Sequence, residues 1–473
     1  MKSLAALTAL VGASAIAGSA LADGGYYQGA LGARAAGRGG AFVARADDVT
    51  AVAINPAGLA QLDGTVIEIG NQVGYNGYDY TRAPTVDYGQ TGTPLVSFNK
   101  VSNGAPWQPA LPFIGVASRL GLRDWSFALS AFAPPGISKL TFPEDGGQRY
   151  LMVSREAVIL NVAASAAWKF HDVFGVGATF EWISVPRLNY SLIINANTSP
   201  GARNPVSSTY DILAETTGSD IFAPNLVLGA WYRPTPSLQF GLAGQVLPAS
   251  IVTHSSLKLT ALDQATLGTI TTEREQIPAN DVTVTLPLPL LARLGGRYRH
   301  LAGGRELYDL ELDLEYETWS RAQNFTVGTN GLVAQALGNQ NVPLGTIQIA
   351  KHWNDVFSVK VGGDFSLVPD RWTLRAGAYY ETAVAPASYA NVDFPGGQQL
   401  GAALGGSLLL HPIELALTYQ IRYQPSFTVA EGDARVQQQN PNFPGQPEPV
   451  VNAGTYAATS HLVALALIYR YGQ

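Results

Sequence analysis

Between Tyr308 and Glu317 the chain alternates without a fault. Tyr308, Leu310, Leu312, Leu314 and Tyr316 share one parity, and Asp309, Glu311, Asp313, Glu315 and Glu317 share the other. Only a strand, whose successive side chains point to opposite faces, separates the two kinds so completely. The period of two recurs at 357–365, 372–381 and 414–423, and in each case the less apolar parity carries charge: Lys360 and Asp364, Arg375 and Glu381, Glu414 and Arg422. A charge on the lipid side of a barrel costs about 2–4 kcal/mol at the bilayer midplane, so these faces look into a lumen. Aromatic residues near both ends of the segments match the interface girdles of a membrane barrel, which a soluble sandwich does not need.

Read this way, the chain holds about fourteen segments of roughly ten residues, the length a tilted membrane strand requires. They fall near 65–75, 111–120, 125–134, 156–169, 173–186, 223–233, 237–248, 282–299, 306–319, 355–367, 371–383, 400–410, 413–424 and 457–471. Their connections alternate in length. Tight turns at 121–124, 171–172, 234–236, 300–305, 369–370 and 411–412 separate long polar stretches near 76–110, 135–155, 187–222, 249–281, 320–354, 384–399 and 425–456. Bacterial barrels have short periplasmic turns and long extracellular loops, so both termini are expected in the periplasm. The predicted fold is all-β, an antiparallel transmembrane barrel of about fourteen strands.

The first residues supply an address. Lys2, the apolar stretch 4–16 and Ala20-Leu21-Ala22 read as the three regions of a secretory signal peptide, which makes residues 1–22 the signal and Asp23 the mature first residue. An apolar stretch of about a dozen residues is too short to cross a bilayer core as a helix. Charged residues make up only 14% of the chain, against about 25% in soluble domains. There is no cysteine, hence no disulfide, thiol nucleophile or thiolate metal site. The formal charge of −6 becomes 28 − 35 = −7 once Lys2 leaves with the signal, which disfavours a nucleic-acid partner.

Residues 23–64, before the barrel proper at 65–473, are Gly- and Ala-rich with little alternation. On composition alone they suit a plug folded into the lumen or a loose periplasmic tail. The run 32–48, GARAAGRGGAFVARADD, followed by Asn55-Pro56-Ala57-Gly58-Leu59-Ala60, closely resembles the N-terminal hatch of the FadL-type outer-membrane transporters, of which Asn-Pro-Ala is a hallmark. The segments 286–299, 316–320, 370–377 and 383–386 are similar to family segments in the same order, whereas the Tyr471-Gly472-Gln473 ending departs from the usual terminal aromatic residue.

The resemblance implies a hatch-gated monomeric barrel in the outer membrane that takes up hydrophobic small molecules, long-chain fatty acids or hydrocarbons. The expected partners are that ligand, outer-membrane lipid with lipopolysaccharide, and the barrel-assembly machinery. Hatch residues expected near the ligand are Asp23, Phe42, Asn55, Pro56, Ala57 and Leu59. Gly136 resembles the kink of the family's third strand, and Pro134-Pro135-Gly136 either opens a lateral exit there or simply ends the strand. Arg187 and Arg321, just beyond the outer ends of two strands, are candidates for a carboxylate contact, against a plainer role pairing with lipopolysaccharide or neighbouring acids. Arg293, Arg297 and Arg299 have the right period to pair across strands with the acids at 309–317. No metal, cofactor or catalytic set is expected: none of the six histidines has metal-ligand spacing, and no Ser–His–acid constellation is evident. A diffusion porin for polar solutes, or a barrel whose loops adhere to surfaces, is the alternative.

Overall fold

A computed structural model describes residues 30–87, 94–108, 110–134, 139–197, 205–273, 282–336, 340–394, 396–440 and 447–472. Asp23, Pro135 and Gly136 therefore lie outside the described residues. Among those described, the dominant feature is a closed antiparallel barrel of fourteen strands.

In chain order they are β1 (Thr65–Arg82), β2 (Leu111–Ser118), β3 (Trp125–Phe132), β4 (Ser154–Phe170), β5 (Phe174–Asn195) and β6 (Asp211–Thr235). There follow β7 (Leu238–Gln245, resuming as Ser250–Ala261), β8 (Val282–Pro287, resuming as Leu291–Ala302), β9 (Arg305–Glu317, resuming as Asn324–Gly328) and β10 (Ile347–Ala350, resuming as Val356–Val368). The last four are β11 (Trp372–Glu381), β12 (Gln399–Leu410), β13 (Ile413–Val429) and β14 (Gly454–Tyr471). Closure comes from β1, which pairs with β2 on one side and along its whole length with β14 on the other, from Thr65 opposite Tyr471 to Arg82 opposite Gly454. Closing the first strand on the last removes the two free edges an open sheet would present to the bilayer.

The burial pattern is that of a soluble protein turned inside out. On β9, Leu310 is 55% exposed while Glu311 is fully buried. Leu310 and Leu312 face outward and Asp309, Glu311, Asp313, Glu315 and Glu317 inward, as the alternation requires. What fills the interior is the hatch. Its short helices α1 (Ala33–Gly37) and α2 (Ala51–Ile54) are joined to a 3-10 turn, Pro56–Gln61, and small Ala and Val side chains with intervening glycines let these pieces bury one another. α1 lies against β12 and β13, the 3-10 turn against β4, β5 and β6, so the hatch reaches from one wall to the opposite one.

Two expectations need correction. The stretches near 187–222 and 249–281 contain long strand extensions: β5 runs on to Asn195, β6 starts at Asp211 and β7 reaches Ala261. The single segment expected at 282–299 is interrupted between Pro287 and Leu291, where Pro287 and Pro289 cannot donate to a ladder. β9 and β10 also break, at 318–323 and 351–355.

Candidate functional site

The hatch is held by charge from its own arginines and by backbone amides. Fully buried Arg38 reaches Asp309 at 2.8 Å and Glu311 at 2.9 Å on β9, and Asp364 at 2.7 Å on β10. Arg45 contacts Asp309 and Asp364, each at 3.2 Å. The amides of Phe42 and Val43 donate to Asp313 at 2.7 and 2.9 Å, and that of Ala44 to Glu311 at 2.6 Å. Cross-strand pairs are present too: Arg293 to Glu315 at 3.0 Å, Arg297 to Asp309 at 2.5 Å, and Arg299 to Glu306 at 2.7 Å. The acidic face of β9 is thus shared between the neighbouring wall and the hatch. Within the hatch, burial pushes the Asp47 carboxyl up, but the guanidiniums of Arg34 and Arg45 more than offset this and hold it well below the usual carboxylate range.

On the opposite wall the Asn-Pro-Ala turn is seated on β6. The Asn55 side-chain amide donates to Val43 O at 2.8 Å and to Ala230 O at 3.1 Å, while its Oδ1 accepts from Ala57 N at 3.2 Å. Trp231 Nε1 donates to Ala57 O at 2.9 Å. The turn approaches so closely that a Cβ at Gly229 would stand 2.0 Å from Asn55 Oδ1, and one at Gly377 would stand 2.0 Å from the Arg38 carbonyl carbon on the other side. Phe42 and Leu59 are fully buried in the hatch's own packing.

Above the hatch, the breaks in β9 and β10 bring Trp319, Lys351 and Trp353 inside. Trp353 meets Trp319 and Phe325 edge to face with ring centroids 5.3 Å apart in both cases, and Phe394 closes the group at 5.5 Å from Phe325. Such pairs stabilise by about 0.5–1.5 kcal/mol each beyond the area they bury. Into this cage project two cations, both at least 98% buried. Arg155 Cζ lies 4.1 Å from the Phe394 centroid, and Lys351 Nζ lies 4.7 Å from that of Phe325 while pairing with the Asp393 carboxylate. The Tyr190 hydroxyl also donates to Asp393, at 3.3 Å.

Arg187 and Arg321 lie elsewhere. Arg187 is exposed on β5 and bonded to Glu156 at 2.5 Å, and Arg321 is exposed in the turn that breaks β9. Arg155 and Lys351 are absent from the sequence reading because they sit at a strand start and in a strand break, where alternation gives no face. The pairing of Lys351 with Trp353 two residues on was the available signal.

Among the described residues, β3 pairs with β4 as far as Phe132 opposite Asn161, and the next pairing along β4 is Leu140 opposite Arg155. Across the interruption Ala133 N donates to Pro112 O at 3.0 Å and Lys139 N to Gln108 Oε1 at 2.8 Å. Among the described residues no group of three or more His, Asp or Glu is placed to hold a metal ion.

The family model of outer membrane protein transport proteins (OMPP1/FadL/TodX) matches residues 13–459. Among curated proteins none matches the sequence. A FadL homologue from Pseudomonas aeruginosa, known as a crystal structure, superposes with a TM-score of 0.72 at 17% identity over 94% of this chain and 99% of its own. The toluene transporter TbuX of Ralstonia pickettii gives 0.60 at 14% identity over 93% and 98%, and the toluene transporter TodX of Pseudomonas putida gives 0.62 at 13% over 94% and 99%. At these identities the likeness is one of fold.

Proposed function

The chain belongs to the outer membrane protein transport family OMPP1/FadL/TodX, and from that premise we propose that it takes up hydrophobic carboxylic acids, long-chain fatty acids above all, across the outer membrane. The observation that carries this reading is the pair of buried cations, Arg155 and Lys351, within the aromatic cage of Phe325, Trp353 and Phe394. An acyl chain gains about 0.8 kcal/mol per buried methylene from such surroundings, and its carboxylate gains a charge-assisted bond. A neutral aromatic hydrocarbon, the cargo named for two of the structural neighbours, would use the rings but give the cations nothing.

In this reading the hatch closes the periplasmic way out, and the interruption of β3 after Phe132 offers a lateral one. An acyl chain leaving sideways stays in hydrocarbon, whereas one leaving downward meets water at every methylene. The tight turns and both termini face the periplasm.

Equilibrium binding of radiolabelled oleate and toluene to the detergent-solubilised protein tests the reading. Arg155→Met should weaken oleate binding at least tenfold and leave toluene unchanged. Lys351→Met combined with Asp393→Leu, which strands no partner charge, should do the same. Oleate binding unaffected in both correctly assembled variants would overturn the proposal.

A further inference from the structure

A second cavity, of about 110 Å³, lies between the hatch and the wall break, bounded by Leu31, Val43, Phe132 and Pro134. Its polar lining is chemically opposite to the cage above. Four glutamates border it, Glu181, Glu315, Glu317 and Glu381, with two cations, Arg293 and Lys360. Both cations are engaged by the same acid: Arg293 bonds Glu315 at 3.0 Å and Lys360 bonds it at 2.8 Å. Glu181 is instead held by neutral donors, for Asn225 Nδ2 reaches its Oε2 at 2.8 Å and Asn161 Nδ2 at 3.3 Å.

That arrangement fixes both amides. Turning either one over would set a carbonyl oxygen against the carboxylate, so each Oδ1 must point away from Glu181. Asn161 and Asn225, 3% and 1% exposed, both line the cavity, and neither Oδ1 has a hydrogen-bond partner. Buried acceptors without a donor are rare in folded proteins and costly. The corner formed by β4, β5 and β6 therefore offers one carboxylate and two carbonyl oxygens, all acceptors, beside apolar Phe132 and Pro134.

We propose that this corner is a binding site for the protonated amine head of a hydrophobic ligand, with Glu181 Oε, Asn161 Oδ1 and Asn225 Oδ1 accepting its three N–H bonds. An ammonium has three donors and no acceptor, which is the complement of this set. Its positive charge also answers the excess of carboxylates over cations, and an alkyl tail finds Phe132 and Pro134 at the edge of the broken strand. The inference stands on residues separate from the Arg155–Lys351 cage, so either site can fail alone.

The test uses the full-length protein in a non-ionic detergent at pH 7, with dodecylamine, dodecanol and dodecanoate as probes and bound probe counted by native mass spectrometry. Dodecylamine should bind at least tenfold more tightly than dodecanol. Glu181→Gln should abolish that preference while leaving dodecanoate binding intact, and Arg155→Met should do the reverse. Asn225→Leu, which removes an acceptor but no charge, should weaken the amine severalfold and serves as the second variant if Glu181→Gln fails to assemble. Equal binding of amine and alcohol to the wild type, or amine binding unchanged in whichever variant assembles, would overturn the proposal.

Discussion

Arg38 shows how far a single residue was legible. Alternation alone sent Asp309, Glu311 and Asp313 into the lumen, and the arginines of β8 were the natural partners because the period of two matched. Arg297 does take Asp309, but Glu311 and Asp313 are taken from the hatch, by Arg38 and by the amides of residues 42–44. A strand pattern reveals which face a residue occupies; it carries no information about what lies across the lumen from it, 273 residues away in the case of Arg38 and Glu311. Replacing Arg38 by methionine takes a cation from three carboxylates. Asp309 keeps Arg297 and Arg45 and Asp364 keeps Arg375 and Arg45, but Glu311 is left to backbone amides, and breaking a buried pair of this kind costs roughly 3–5 kcal/mol. The loss falls on hatch seating, since the barrel's ladder hydrogen bonds are untouched. Arg38→Met should therefore leave the barrel's heat-modifiable gel mobility unchanged while making residues 30–64 open to trypsin. Protection equal to the wild type would show that the amides and the Asn55 seat suffice without the arginine.

Strands were found where one face is apolar and exposed and the other polar and buried, and missed where both faces are covered by protein. The outer half of β5 and the start of β6 pair from Asp211 opposite Asn195 through Gly218 opposite Leu188, yet their sequence there mixes polar and apolar residues on both faces. Almost no residue on either face is exposed there, so the two-residue rhythm fades. Pro134-Pro135-Gly136 was expected to break a ladder because two successive residues lack an amide donor whatever surrounds them; Pro135 and Gly136 lie outside the described residues. Among the described residues β4 is paired with β3 from Asn161 to Trp168, and with Leu140 and Thr141 at Arg155 and Ser154. Restoring donors and β-branched side chains with Pro134→Thr, Pro135→Val and Gly136→Thr should let the ladder continue across the interruption. Cells carrying this triple variant should bind labelled oleate normally and fail to accumulate it. Accumulation at the wild-type rate by a correctly assembled variant would remove the lateral exit and leave passage past the hatch.

At the scale of the whole molecule, the barrel and the hatch answer to different forces. The wall is a closed ring of backbone hydrogen bonds with its apolar side chains in lipid, and those ladder bonds involve no carboxyl group. The hatch is attached to the wall through ion pairs such as Arg38 with Glu311 at 2.9 Å and Arg34 with Glu414 at 3.5 Å, and is braced internally by Arg34 with Asp47 at 2.9 Å and Arg45 with Asp47 at 3.1 Å. Because the Asp47 carboxyl is held below its ordinary value, its bracing of Arg34 and Arg45, which reach the wall at Glu414 and at Asp309 and Asp364, is complete above the unfolded value of about 3.9 and is lost only as the pH falls through the depressed one. Conductance in planar bilayers should accordingly stay at its closed level from pH 7 down to about 4 and rise below that. A variant lacking residues 23–59 separates plugging from any acid effect on the loops. Its lumen floods, so the wall acids Asp309, Glu311 and Asp364 exchange their arginine for water rather than being left dry, and the barrel should still assemble. It should conduct at neutral pH as the intact protein does only in acid, with no further rise on acidification. If the truncated barrel is as silent as the intact one at pH 7, the loops and the aromatic cage close the pore and the hatch is an ornament of the lumen; if it opens further in acid, a second titrating gate exists above it.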